Sequence, residues 1–114
     1  MTTKFSAPVR SDDRVLLLAI PHRDELAGLA RVLMQGVLVA LGTREEVDQA
    51  REAMADFDNV MFVEALADKI PWRDAYFTKI LVPPHLEPLL GAFGSELDRV
   101  LAPGGEIVRQ TANA

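Results

Sequence analysis

The sequence predicts a doubly wound α/β fold with a mostly parallel sheet and helices on both faces, and three observations carry the prediction. Short, unbroken apolar runs recur along the chain, and they alternate with stretches whose apolar residues repeat at helical spacing. The runs show no in-out alternation, as expected of strands covered on both faces. Each pair of runs is separated by a segment long enough to cross over, which keeps successive strands parallel. The 114 residues, 49% of them hydrophobic, suffice for one core and leave no room for a second.

Residues 1–13 are polar apart from Phe5, Pro8 and Val9 and read as a flexible amino-terminal arm, with residues 14–114 forming the single domain. Residues 15–20 (VLLLAI) are the first strand. Pro21 suits the first turn of a helix whose apolar positions are Leu26, Leu29, Ala30 and Leu33, with Gly36 as its stop. Residues 37–41 are the second strand. Thr43 and Glu46 then form a capping-box pattern, T-x-x-E, ahead of a stripe of Val47, Ala50, Met54 and Phe57. Residues 60–63 are the third strand, residues 65–74 a loop, and residues 77–82 the fourth strand. Pro83-Pro84 breaks that strand. Leu86, Leu90, Phe93, Leu97 and Leu101 line a third helix, Pro103-Gly104-Gly105 ends it, and Ile107-Val108 opens a fifth strand.

Composition excludes several functions. Twelve basic against 17 acidic residues leave a net charge of −5, unsuited to holding nucleic acid by a general field. No apolar run approaches the roughly 20 residues of a membrane span, and no signal-peptide core follows Met1. With no cysteine, disulfides, thiolate metal sites and cysteine nucleophiles are out, and a cytoplasmic protein without membrane or nucleic-acid partners is expected.

Three segments, in this order and spacing, resemble the core of a class I S-adenosylmethionine-dependent methyltransferase between about Arg14 and Gln110. Residues 59–72 (NVMFVEALADKIPW) are similar to that family's third strand and the loop enclosing adenine. Residues 74–77 (DAYF) match its lead into strand four, and residues 97–105 (LDRVLAPGG) its turn into strand five. The resemblance implies a Rossmann-like sheet of five strands in the order 3-2-1-4-5.

The positions that would contact cofactor in that family depart from its pattern. The first-strand acid falls on Leu17, and the glycines of the following turn fall on Ala19, Pro21 and Arg23. Those glycines let backbone approach the cofactor; proline removes an amide, and arginine is expected to fill the space. The ribose-binding acid falls on Leu41, and the acid near adenine on Leu66. Hydrogen bonds to a charged partner contribute about 1.5–3 kcal/mol each. Losing two to the ribose and one to adenine removes about 4–8 kcal/mol by non-additive bookkeeping. A micromolar ligand has only about 8 kcal/mol to lose. Leu17, Ala19, Leu41 and Leu66 read as a crevice that apolar side chains have filled.

His22 follows strand one and His85 follows strand four, neighbours in such a sheet, with Asp24, Glu25 or Glu87 close in sequence. The pair forms either an acid–base couple or weak metal site in the crevice, or two exposed histidines in helix-start loops; the second reading is preferred, since no third metal ligand is identifiable. Residues 82–85 (VPPH) resemble the tetrad that binds a substrate amine in some methyltransferases, but Val82 cannot accept a hydrogen bond, and a rigid turn is preferred. Trp72 is read as closing the core rather than lining a ligand site with Tyr76, and Met34, Met54 and Met61 as space-filling on apolar faces.

The function these residues imply is a methyltransferase-like domain without cofactor, metal or catalytic residues, acting by self-association or protein binding. A homodimer through the edge of strand five is expected. Two rivals stand beside it: an active methyltransferase holding S-adenosylmethionine in an atypical pocket, and a small-ligand module using the same crevice.

Overall fold

The computed structural model describes residues 9–109. Five strands form one sheet: β1 (Arg14–Leu17), β2 (Val37–Gly42), β3 (Val60–Glu64), β4 (Phe77–Val82) and β5 (Leu101–Arg109). They lie in the order β3-β2-β1-β4-β5, and all four pairings are parallel. The helices are α1 (Arg23–Val32), α2 (Arg44–Ala53) and α3 (Leu90–Val100).

The strands are apolar on both sides because both sides are covered. Val15, Leu17, Leu38, Ala40, Phe62 and Leu81 face a core closed by Leu26, Ala27 and Leu33 of the α1 segment and Val47, Ala50 and Met54 of the α2 segment. On the opposite face Leu16, Val39, Leu41, Phe77, Ile80 and Val82 pack against Leu97 and Val100 of α3 and against Ala67 and Ile70 of the β3–β4 loop. That loop takes the place of a fourth helix. Trp72, Tyr76 and Phe77 close its end, with ring centroids 5.0–5.7 Å apart.

Several boundaries differ from the sequence reading, each for a local reason. β1 ends at Leu17, so Leu18, Ala19 and Ile20 leave the sheet within what reads as one apolar run. α1 begins at Arg23 with His22 as its N-cap, leaving Pro21 just outside. Gly36 does not cap the helix: a Cβ there would be driven into the Asp13 carbonyl oxygen, so glycine is required by close approach of two backbones. The capping box of α2 forms as expected, with Thr43 N donating to Glu46 Oε1 at 2.9 Å and Glu46 N to Thr43 Oγ1 at 3.2 Å. Leu86 does not lie on α3. Residues Pro84–Leu89 form a 3₁₀ turn instead, because Pro88 has no amide to donate and its ring would strike a preceding carbonyl of an α-helix. Leu101 already belongs to β5, and Pro103-Gly104-Gly105 is a bulge within that strand, between the pairs Phe77↔Leu101 and Lys79↔Glu106. Gly104 adopts φ +80°, a conformation natural to glycine.

The methionines divide. Met54 is buried, but Met34 (83% exposed) and Met61 (40%) do not fill the core. Residues 1–8 of the expected arm lie outside the described residues, whereas residues 9–13 are held. Val9 packs on the first core, and Asp13 is buried, accepting from Arg10 N at 2.7 Å and from the Thr78 hydroxyl at 2.8 Å. Among the described residues no helix is long and apolar enough to cross a membrane.

Candidate functional site

In a doubly wound sheet, ligands sit past the carboxyl ends of the strands where the strand order reverses. Here that point lies between β1 and β4. A cleft of about 210 Å³ opens there. Its walls are Leu17, Ala19, Ile20, Pro21, Leu81, Pro83 and Pro84, and its polar groups are His22, Glu25 and His85. The two histidines therefore line the same cleft, each placed by the turn that follows its strand.

His22 has a structural task as well. The Asp24 amide donates to His22 Nδ1 at 3.3 Å, so the imidazole caps α1, and the ring proton must sit on Nε2. Asp24 Oδ2 lies 3.8 Å from the same nitrogen, with both side chains largely exposed. Glu25 is half-buried, and burial raises its pKa above the ordinary carboxylate value, opposed by the nearby His22. His85 is exposed, and the Glu87 side chain lies outside the described part of the structure. No group of three or more metal-ligating side chains occurs among the described residues.

The positions aligned with cofactor contacts behave in three ways. Leu17 and Leu41 are each 1% exposed and belong to the core, so neither position supplies a carboxylate. Ala19 and Pro21 line the cleft. Arg23 and Leu66 correct the expectation of a filled crevice. The Arg23 guanidinium turns away, donating through Nε to the Ala53 carbonyl at the end of α2 (3.1 Å), and Leu66 is 68% exposed.

Between the ends of β1 and β2 the neighbour of Gly42 is Ile20, which also borders a cleft of about 250 Å³ with Pro21, Arg23 and Glu46. It packs on the first core, and its Cδ1 lies so close to Gly42, at the end of β2, that a Cβ there would meet it at 2.7 Å. Glu46 Oε1 is also near Gly42, but it is committed to the Thr43 amide. The continuous run of residues 15–20 hid this role. Its only signal is a glycine closing β2 opposite a bulky residue just past β1.

A second polar network fixes the loop on the other face. Arg99 donates to Glu96 Oε1 (2.8 Å), the Trp72 carbonyl (2.8 Å), the Ile70 carbonyl (2.7 Å) and Asp74 Oδ1 (2.6 Å). Glu96 Oε2 also accepts the Ile70 amide at 2.6 Å. Hydrogen bonds from Arg99 and from the Ile70 amide hold the Glu96 pKa at about 2, and the paired carboxylates raise that of Arg99. Backbone bonds from Ala75 N to Arg99 O (2.8 Å) and Tyr76 N to Val100 O (2.9 Å) complete the clamp. They hold Ala75 at φ +54°, a left-handed conformation that alanine adopts only under such constraint. Asp74 and Arg99 carry part of the family resemblance, and their work here is to pin the loop.

By sequence, the chain matches no family model and no curated protein. By structure, it is similar to the YcgJ protein from Bacillus subtilis, with TM-score 0.74 and 22% identity over 91% of this chain and 46% of that chain. A SAM-dependent methyltransferase from Aquifex aeolicus gives 0.75 and 24% over 95% of this chain and 57% of that one. A chain from the complex between the Haloferax volcanii Trm112 methyltransferase activator and a methyltransferase gives 0.77 and 24%, over 91% and 46% respectively. These similarities define the class by its fold: a Rossmann-like methyltransferase core with five parallel strands in the order 3-2-1-4-5. The chain spans about half the length of the solved structures it matches.

Proposed function

We propose that this domain keeps the methyltransferase architecture but does not hold S-adenosylmethionine in the usual manner, and that it acts by association with itself or with a partner protein. The observation carrying the reading is Ile20 packed closely against Gly42 at the ends of β1 and β2, which on this reading narrows the approach of a nucleoside. Two further features support it. Leu17 and Leu41 replace the carboxylates that ribose and methionine groups require, and both are buried in the core, where an acid could not substitute without an unpaired charge. The loop after β1 contains Pro21 in place of a glycine, so it offers one amide fewer to a ligand. Fold likeness alone does not decide activity, because chemistry belongs to the site.

Isothermal titration with S-adenosylmethionine and S-adenosylhomocysteine tests the reading. No heat above dilution is expected for either. A dissociation constant in the micromolar range would overturn it and favour the rival, an active methyltransferase with a reshaped pocket.

A further inference from the structure

The cleft between β1 and β4 is open, whereas between the ends of β1 and β2 Ile20 packs closely against Gly42. At about 210 Å³ it is smaller than the usual pocket for a drug-sized ligand and has room for about seven waters. Its walls are apolar. Among the described residues lining it, Glu25 is the only carboxylate, and there is no lysine or arginine. Arg23, the nearest basic residue in sequence, is drawn off to the Ala53 carbonyl. His22 has spent its Nδ1 lone pair on the cap of α1. Among the described residues, the Glu25 carboxylate takes part in no ion pair.

From this geometry we infer that the cleft is a binding site for a small organic ammonium with a compact apolar body, held by Glu25 at the start of α1 and by the apolar walls of Leu17, Leu81 and Pro83. A cation is favoured because a half-buried carboxylate without a partner gains from one, and the net charge of −5 attracts it. A carboxylate or phosphate ligand would face Glu25 with no lysine or arginine among the described lining residues to offset it. A metal ion is disfavoured because His22, Glu25 and His85 do not converge into a metal-holding group, and none occurs among the described residues. The small size of the ligand rests on the proposed closure of the nucleoside crevice; its charge does not.

Three probes with one ring and different head groups test the assignment: cyclohexylammonium, cyclohexanol and cyclohexanecarboxylate. Each is titrated into ¹⁵N-labelled protein while the amide spectrum is followed. The ammonium is expected to shift the amides of Ala19, Glu25 and Leu81 saturably, with a dissociation constant of about 1 mM for so few atoms. The alcohol and the carboxylate should bind at least tenfold more weakly. Glu25→Gln should weaken the ammonium at least tenfold, with the rest of the spectrum unchanged. Equal binding of all three heads, ammonium binding that survives Glu25→Gln, or no binding of the ammonium overturns the assignment. The matched head groups decide the matter on the native chain even if the variant misfolds. A parallel titration with S-adenosylmethionine separates the two claims. Its binding would reopen the nucleoside crevice, whereas silence from both it and the ammonium removes only the ammonium site.

Discussion

Arg99 and Glu96 join one turn of α3 to a loop that has almost no secondary structure of its own. The two side chains satisfy the Trp72 carbonyl and the Ile70 amide and add a second donor to the Ile70 carbonyl, which already accepts the Trp72 amide. Because the folded-state pKa of Glu96 (about 2) lies below its ordinary value of 4.5, its contribution to stability is complete above about pH 5 and fades as pH falls toward 2. Urea unfolding should therefore show Glu96→Gln less stable than the native chain at pH 7, with the gap narrowing by pH 3. A gap that stays constant across that range would mean the carboxylate charge plays no part. The sequence made Asp74 and Arg99 conspicuous as motif residues but gave no hint that Arg99 donates to four residues at once. Ile20 was harder still. Its neighbours Leu18 and Ala19 are equally apolar, and only the approach to Gly42 distinguishes a plug from the end of a strand.

Elements were legible where a local rule governs them and obscure where tertiary contact does. The α2 start follows from Thr43 and Glu46 alone, since a capping box satisfies two orphan amides within four residues. The α1 end does not. Its last carbonyls are met from a distance of 26–29 residues by Asn59, whose amide donates to the Ala30 and Leu33 carbonyls at 2.8 and 2.9 Å. Gly36, the residue that looked like the stop, serves the approach of β2 to Asp13 instead. Asn59→Ala should cost about 1–3 kcal/mol, the loss of two partly buried hydrogen bonds, measured by chemical denaturation. A change below about 0.5 kcal/mol would show that solvent serves the end of α1 equally well. The junction before α3 was misread for a related reason. The stripe from Leu86 onward has helical spacing, but Pro88 lies within it and holds Pro84–Leu89 in a 3₁₀ turn.

At the scale of the molecule, the unbroken apolar runs and their crossover spacing were enough for the two-sided parallel sheet, and the strand order followed from the resemblance. The site was only partly readable. The absence of acids at Leu17 and Leu41 could be seen in the sequence, but that Arg23 reaches the Ala53 carbonyl and Leu66 faces solvent could not, because a side chain's direction depends on neighbours distant in sequence. Among the described residues, β5 pairs with β4 alone, so nine residues of strand stand at one margin of the sheet. Pairing with a second copy would satisfy that margin, and sedimentation velocity at high micromolar concentration should find a dimer. A single species of 12.5 kDa would rule out self-association and leave association with a different protein. The most direct test of the central claim follows the amides of Ala19 and Gly42, which flank Ile20, during titration with S-adenosylhomocysteine. Both resonances should stay fixed up to millimolar nucleoside. Saturable movement of both at micromolar concentration would show that Ile20 yields and that the cofactor enters after all.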